Sequence, residues 1–169
     1  MESIDNIAPS GSAPFSIRID KEGVWYYNGE EMFRKDIVNL LYEHLSRDEE
    51  GNYVIVMGEE RCVIEVEDVP YVIRAVYKFS ENGEEKEYVK LVMNDLSVED
   101  LDPSTVWIGH DNIPYCTVKE GRFTARFSRA GYYQLAEYIE YDDNKNAFYI
   151  VMNDRRYYLT NVEDQNAGQ

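Results

Sequence analysis

Hydrophobic and polar positions alternate with a period of two along most of this chain, a pattern typical of half-buried β-strands. Short segments rich in Gly, Asn and Asp separate neighbouring strands and predict tight turns, the clearest being Asn82-Gly83. Each such turn is expected to join two antiparallel strands. The predicted hairpins cover residues 15–27, 53–66, 71–93, 115–127 and 147–160.

The central hairpin, residues 71–93, has the longest alternating run. Its first strand is expected to present one apolar face, because successive side chains of a strand point to opposite faces. The returning strand would present a second apolar face on the same side. The two expected faces consist of Tyr71, Ile73, Ala75, Tyr77 and Phe79 on the first strand and of Val89, Leu91 and Met93 on the second.

Two other segments repeat their apolar positions with the period of an α-helix. The first predicts a helix over residues 32–46. The second begins after Ser128, whose hydroxyl is suited to accept an unpaired backbone N–H at a helix N-terminus. The stripes consist of Phe33, Ile37, Leu40, Leu41 and Leu45 in the first helix and of Tyr132, Leu135, Ala136 and Ile139 in the second.

Short motifs occur twice in the same order, at nearly the same spacing. Lys-Glu-Gly stands at residues 21–23 and 119–121, and Val-Glu-Asp stands at residues 66–68 and 162–164. Internal similarity at a long period indicates one supersecondary unit used twice. The predicted fold class is therefore α+β, with two pseudo-repeated β-β-α-β-β units, mostly antiparallel sheet and one helix per unit.

The repeat also predicts two lobes. The N-terminal lobe, residues 14–95, would hold the first repeat and the central hairpin, and the C-terminal lobe, residues 96–164, would hold the second repeat. Residues 1–13 and 165–169 show no periodicity and are expected to be flexible tails.

The chain has 169 residues, of which 44% are hydrophobic and 14% aromatic, as in a folded globular protein. Its formal net charge of -16 repels nucleic-acid phosphates and anionic lipids, so neither nucleic acid nor a membrane is an expected partner. The acidity fits either plain solubility or recognition of a basic protein or a cation. No apolar stretch approaches the ~20 residues of a membrane span.

The two cysteines, Cys62 and Cys116, lie inside strand-like runs, and residues 1–14 contain no apolar core of a secretory signal. Reduced thiols and a cytoplasmic location are therefore expected. A disulfide between the two cysteines is the alternative.

Residues 65–71, Glu-Val-Glu-Asp-Val-Pro-Tyr, carry the most specific part of a resemblance to a known family. Further matching positions include Ile17 to Asp20, Gly23 with Trp25, and Ala125-Arg126. With these residues the chain resembles domain-of-unknown-function family 1285, a family of uncharacterised bacterial proteins. The resemblance spans about residues 15–159. It implies a repeated α+β fold, no assigned enzymatic activity and no catalytic residues to carry over, and a suspected role in signal transduction.

Candidate metal sites are few. Asp142, Asn144 and Asn146 match the first ligand positions of a calcium-binding EF-hand loop, but Ala147 stands where the sharp turn needs Gly and Asn153 where a bidentate Glu is needed. A connecting hairpin loop is therefore predicted there. The chain has two histidines and no closely spaced cysteine pair, so no zinc site is predicted, and no cofactor.

Glu67 and Asp68 are the most specific polar candidates. In one interpretation they face a cleft between the lobes, with Arg34 or Arg126 as counter-charge; in the other, they end a strand, Asp68 bonds its own turn and Pro70 starts the next strand. Several aromatic side chains could line a small-molecule pocket or pack between sheets, namely Trp25, Tyr27, Trp107, Tyr115, Tyr133 and Tyr158. The predicted ligand-binding residues are Trp25, Arg34, Glu67, Asp68, Trp107 and Arg126, and no catalytic residue is predicted.

Three functions remain open at this stage. The first is a non-catalytic cytoplasmic binding or regulatory module, in bacterial signalling, that captures a small molecule or a protein in the groove between the lobes. The second is an enzyme of unrecognised type, which would bring carboxylates with perturbed pKa values together in a deep pocket. The third is a self-associating scaffold, which would expose an apolar patch or a sheet edge in a symmetric homodimer.

Overall fold

The computed structural model describes residues 15–83 and 85–162, so the predicted flexible tails, residues 1–13 and 165–169, lie outside the described residues. The described part is α+β and mostly sheet, as predicted. It falls into two compact units that divide between Asp68 and Val69. None of the described helices is long and apolar enough to cross a membrane.

The first unit contains two sheets and one helix. A four-stranded sheet has the order β3-β2-β1-β7, with β7 parallel to β1, and a three-stranded antiparallel meander has the order β4-β5-β6. Buried apolar residues include Ile19, Trp25, Leu41 and Ile55. The elements are β1 (Ile17–Ile19), β2 (Trp25–Tyr27), β3 (Glu30–Glu31), α1 (Lys35–Glu43), β4 (Leu45–Arg47), β5 (Tyr53–Met57), β6 (Glu60–Val63) and β7 (Glu65–Val66).

The helix predicted over residues 32–46 exists, but it is shorter at both ends. At its start, a left-handed turn at Gly29 (φ +83°) folds β3 back onto β2, and the Met32 N–H donates to the Trp25 carbonyl at 2.8 Å. At its end, Leu45 leaves the helical stripe and pairs with Ile55 in the meander. Sheet pairing thus satisfies backbone groups that the helix would otherwise have bonded, and it leaves Phe33 80% exposed.

The second unit contains a seven-stranded mixed sheet of order β10-β9-β8-β13-β12-β11-β17 and a second antiparallel meander, β14-β15-β16. Parallel pairing occurs between β8 and β13 and between β11 and β17. Short 3₁₀ turns occupy Pro103–Thr105 and His110–Asn112. The elements are β8 (Tyr71–Ser80), β9 (Glu87–Met93), β10 (Val98–Asp100), β11 (Trp107–Ile108), β12 (Pro114–Val118), β13 (Phe123–Phe127), α2 (Arg129–Ala136), β14 (Ile139–Asp142), β15 (Ala147–Met152), β16 (Arg155–Tyr158) and β17 (Thr160–Asn161).

All five predicted hairpins are confirmed as antiparallel pairs, but the second ends at Val63, because Glu65 and Val66 pair with β1 in another sheet. The predicted N-cap of α2 is confirmed as well, because the Ser128 hydroxyl oxygen accepts the Gly131 N–H at 3.1 Å. Gly131 also lets α2 approach β8 closely, since an added Cβ would lie 2.7 Å from the Ile73 carbonyl oxygen.

The expected apolar face of the central hairpin is wrong in its second half. Ile73 pairs with Met93 but Ala75 pairs with Val92, so Arg74 is an extra residue that forms a β-bulge. A one-residue slip moves every later side chain to the other face. Val76 therefore joins the core, and its backbone N–H donates to the Gln134 side chain at 2.6 Å, while Tyr77 and Phe79 are 44% and 42% exposed.

Candidate functional site

Glu67, which directly follows β7, fastens the turn between β1 and β2. Its carboxylate accepts the backbone N–H of Lys21 at 2.9 Å and lies 4.0 Å from the Arg18 guanidinium. Its own backbone N–H donates to the Ile19 carbonyl at 2.9 Å. These contacts give Glu67 a structural role in the first unit.

A matching contact occurs in the second unit. The Glu99 carboxylate accepts the backbone N–H of Lys119 at 3.0 Å, in the turn between β12 and β13. The Lys119 ammonium donates to Asp95 at 2.9 Å and to the Ser97 hydroxyl at 2.8 Å. Burial opposes ionisation of Asp95, but hydrogen bonds from Ser97 and Lys119 outweigh it and lower the pKa of this carboxyl. Each Lys-Glu-Gly turn is thus held by a carboxylate from outside its hairpin.

The remaining polar candidates of the first unit are Arg34 and Asp68. Arg34 precedes α1 and binds the Asp36 carboxylate at 2.7 Å, and this hydrogen bond lowers the pKa of Asp36. Both side chains of that pair are more than half exposed. Asp68 is half-buried at the last position of the unit.

Trp25 is a core residue rather than a surface contact. It is 2% exposed, and its ring meets the edge of Tyr42 at a centroid distance of 4.9 Å. Its indole N–H is buried without a hydrogen-bond partner among the described residues. An unsatisfied buried donor costs about 1–3 kcal/mol, so apolar packing must outweigh this loss.

Trp107, Tyr115 and Arg126 lie side by side on one face of the large sheet, and we call them the Trp107 row. Trp107 pairs with Tyr115 across β11 and β12, and Tyr115 pairs with Arg126 across β12 and β13. Paired residues on neighbouring strands point to the same face. Two of the six predicted ligand-binding residues therefore come together here.

The two rings of the Trp107 row are stacked nearly parallel, with centroids 4.5 Å apart and an interplanar angle of 14°. Gly109 makes room for them, because an added Cβ would lie 2.7 Å from the Tyr115 ring and 3.2 Å from the Trp107 ring. Tyr115 is buried, whereas Trp107 and Arg126 are half-buried. Sequence reasoning missed Gly109, since a single Gly in an irregular segment has no specific signal.

Several titratable groups among the described residues have shifted pKa values. Each aspartate there with a clear shift, Asp36, Asp48, Asp95 and Asp142, has a lowered pKa and acts as an ionised partner. Both cysteines are free thiols; burial raises the pKa of Cys62 and raises that of Cys116, which is fully buried, far more.

The former EF-hand candidate is the loop between β14 and β15, as predicted. Asp142 Oδ1 accepts the backbone N–H groups of Asn144 and Lys145 at 3.0 and 3.2 Å, which folds the loop without a metal. Across residues 15–83 and 85–162, no group of three or more His, Cys, Asp or Glu side chains is placed to hold a metal ion.

Two solved structures are similar to this chain over most of its length. A DUF1285 family protein from Silicibacter pomeroyi DSS-3 is 21% identical with a TM-score of 0.71, and the match covers 96% of this chain and 94% of that one. A DUF1285 family protein from Shewanella baltica OS155 is 19% identical with a TM-score of 0.58, covering 72% of this chain and 90% of that one. At these identities the likeness shows the fold alone. Comparison with curated proteins gave no match.

A family model also matches the N-terminal part of this chain. Residues 3–69 match the N-terminal domain of the family described as domain of unknown function DUF1285. This segment includes Glu-Val-Glu-Asp-Val, residues 65–69, from the motif that carried the resemblance. The predicted resemblance is therefore confirmed: residues 3–69 are similar to the N-terminal domain of DUF1285, and two structures of DUF1285 family proteins have a similar fold.

Proposed function

We propose that this chain is a non-catalytic binding or regulatory module that holds a small molecule at the Trp107 row. The carrying observation is the stacked Trp107–Tyr115 pair, set in register beside the Arg126 guanidinium. Flat aromatic surfaces bind planar apolar groups, and a guanidinium binds carboxylates through a planar fork of donors. The ligand class is thus a planar organic molecule that carries a carboxylate.

The charges of the chain support selectivity for a ligand of low total charge. A protein of net charge -16 repels polyanions over distances longer than a hydrogen bond. A ligand with a single carboxylate can pair locally with Arg126. The negative field of the whole chain opposes this contact only weakly, because salt screens that field within about 8 Å.

The proposal also includes a pseudo-repeated fold, a cytoplasmic location and a role in bacterial signal transduction. The repeat is supported by the paired turns at Lys21 and Lys119, each held by a glutamate. The location is supported by the two free thiols. The signalling role rests on the family resemblance.

A thermal-shift screen tests the proposed ligand site. Aromatic carboxylates should raise the melting temperature, and matched neutral aromatics and aliphatic carboxylates should raise it less. Arg126→Met and Trp107→Leu should each remove the shift, while Glu67→Ala, outside the Trp107 row, should retain it. A shift that disappears with Glu67→Ala and survives Arg126→Met would instead favour the carboxylate site and contradict this proposal.

A further inference from the structure

The side of the β8–β9–β10 sheet that faces away from the core carries an unusual set of side chains, which we call the outer face. The pairings of Tyr77 with Lys90, of Phe79 with Tyr88 and of Asp100 with Lys90 place these residues on the same side. The outer face consists of Tyr77, Phe79, Tyr88, Lys90, Val98 and Asp100.

The bulge at Arg74 creates this surface. Before the bulge, Ile73 points into the core and is fully buried; after it, Val76 and its partner Leu91 take over the core side. Tyr77, Phe79 and Val98 are left between 42% and 49% exposed. An antiparallel sheet with one packed face normally presents polar residues on the other, so an aromatic outer face calls for a partner.

The charges of the outer face complement themselves. The Lys90 ammonium lies 2.5 Å from the Asp100 carboxylate and 5.4 Å from the centroid of the Phe79 ring. The face thus carries Lys90 and Asp100 as an oppositely charged pair, with the Lys86 ammonium 5.4 Å from the centroid of the Tyr88 ring, in a chain of net charge -16. A basic partner would be drawn to the acidic remainder of the surface, whereas a second copy of this face offers matching apolar area and an opposite arrangement of charge.

We propose that the outer face is a self-association surface through which two copies of this chain form a symmetric dimer. In a two-fold contact, Lys90 of each copy meets Asp100 of the other, and the exposed rings pack between these pairs. Direct strand pairing along β10 is disfavoured, because Glu99 and Asp100 would lie next to their own counterparts. The copies therefore meet face to face.

The expected dimer is reversible and concentration-dependent. A typical stable interface buries about 800 Å² on each partner. Strands lie about 4.8 Å apart, so three strands present a surface only about 15 Å wide. The buried area is then at the low end for specific contacts.

Sedimentation velocity over a concentration series tests the surface. The wild-type chain should form a reversible dimer, and Phe79→Ser should raise its dissociation constant at least about tenfold, as removal of a central aromatic anchor does. Phe148→Ser is the matched control, since Phe148 is 52% exposed on another sheet, and it should leave the dimer unchanged. A wild-type chain that stays monomeric, or an equal loss with Phe148→Ser, would overturn the proposal.

A charge exchange tests the geometry without removing apolar contacts. Lys90→Glu and Asp100→Lys should each weaken self-association, because like charges then face each other across the two-fold axis. Mixing the two variants should restore a heterodimer, in which both cross-copy pairs have opposite charges. If the mixture stays monomeric while both variants remain folded, the proposed two-fold contact is wrong.

Discussion

The two three-stranded meanders, β4-β5-β6 and β14-β15-β16, share one Asp–Arg contact and differ in the side chains of one row. In each, an aspartate at the end of the first strand accepts two backbone N–H groups of the following loop, and an arginine of the third strand binds its other oxygen. Asp48 binds Arg61 at 2.5 Å and Asp142 binds Arg156 at 3.5 Å, and both carboxylates are 10% exposed. Both meanders therefore contain an Asx-type turn whose aspartate binds an arginine of the third strand; we call this contact the Asp–Arg tie.

The side chains of the two meanders differ along one row of paired positions. The first meander places Ser46, Val54 and Val63 in that row. The second places Glu140, Tyr149 and Tyr158 there, with Tyr149 donating to Glu140 at 2.8 Å and Tyr158 to Asp142 at 2.7 Å. The same strand arrangement thus accommodates either small side chains or a network of tyrosines and carboxylates. The Asp–Arg tie is a structural element common to both meanders, and the tyrosines, which occupy this row in the second meander alone, show where the two differ.

The largest expected effect tests whether both meanders are packed elements. Ile55 and Ile150 are central positions, 4% and 0% exposed. We expect Ile55→Ala and Ile150→Ala each to lower the free energy of unfolding by about 2–5 kcal/mol, because each leaves a cavity. Chemical denaturation measures both. Val56→Ala and Val151→Ala, one residue further on and 39% and 36% exposed, should cost much less. A tolerated Ile150→Ala would mean that the second meander is not packed as the first is.

An effect of intermediate size compares the N-terminal caps of α1 and α2, the helices that precede the two meanders. Ser128 caps α2 through its side chain, whereas Arg34 makes no side-chain cap at α1. Ser128→Ala should lower the free energy of unfolding by about 1 kcal/mol, and Arg34→Ala should lower it less, since its pair with Asp36 is exposed. Ser128→Asp, which can still accept the N–H, should retain most of the stability. Equal losses at the two positions would contradict the difference between the helices.

The smallest effect tests the shared Asp–Arg tie through pH. For Asp48, hydrogen bonds from Asn52 and Glu50 and the Arg61 charge outweigh the effect of burial; for Asp142, the hydrogen bond from Tyr158 is the main cause; both lower the pKa from 3.8. A carboxyl with a lowered folded pKa stabilises the protein above its unfolded pKa, and this contribution disappears as the pH falls through the folded value.

Unfolding measured from pH 6 downward to about pH 2 should therefore show stability falling below the ordinary aspartate value, and Asp48→Asn and Asp142→Asn should each flatten that fall. Both variants should flatten it, because both carboxylates accept backbone N–H groups and bind an arginine, although Asp142 also accepts a hydrogen bond from Tyr158. A flattening with only one of them would show that the tie is not equivalent in the two meanders.

Local signals predicted the hairpins, because a turn dipeptide and the alternation beside it act over a few residues. The ends of α1 were beyond such signals: Leu45 fits a helical stripe and a strand equally well, and pairing with Ile55 decides between them. The bulge at Arg74 was hidden for a related reason, since the residues on both sides of it alternate in the same way whether or not a residue is skipped.

The candidate site shows the same limit. The sequence singled out Trp107 and Arg126 as residue types, but their proximity depends on the register of three strands. The contact of Glu67 with Lys21 joins residues 46 positions apart and has no local pattern. Contacts between residues far apart in the sequence are determined by strand pairing, which local patterns do not predict.

Each compact unit contains one thiol whose chemical labelling can measure local unfolding of that unit. The first unit carries Cys62 and the second Cys116, and the chain has no other cysteine. Cys62 is half-buried in a short strand, so a thiol-specific label reaches it through small fluctuations, whereas Cys116 has no exposed surface and requires its sheet to open. The labelling rates of one native chain would thus time the opening of both units without any engineered probe.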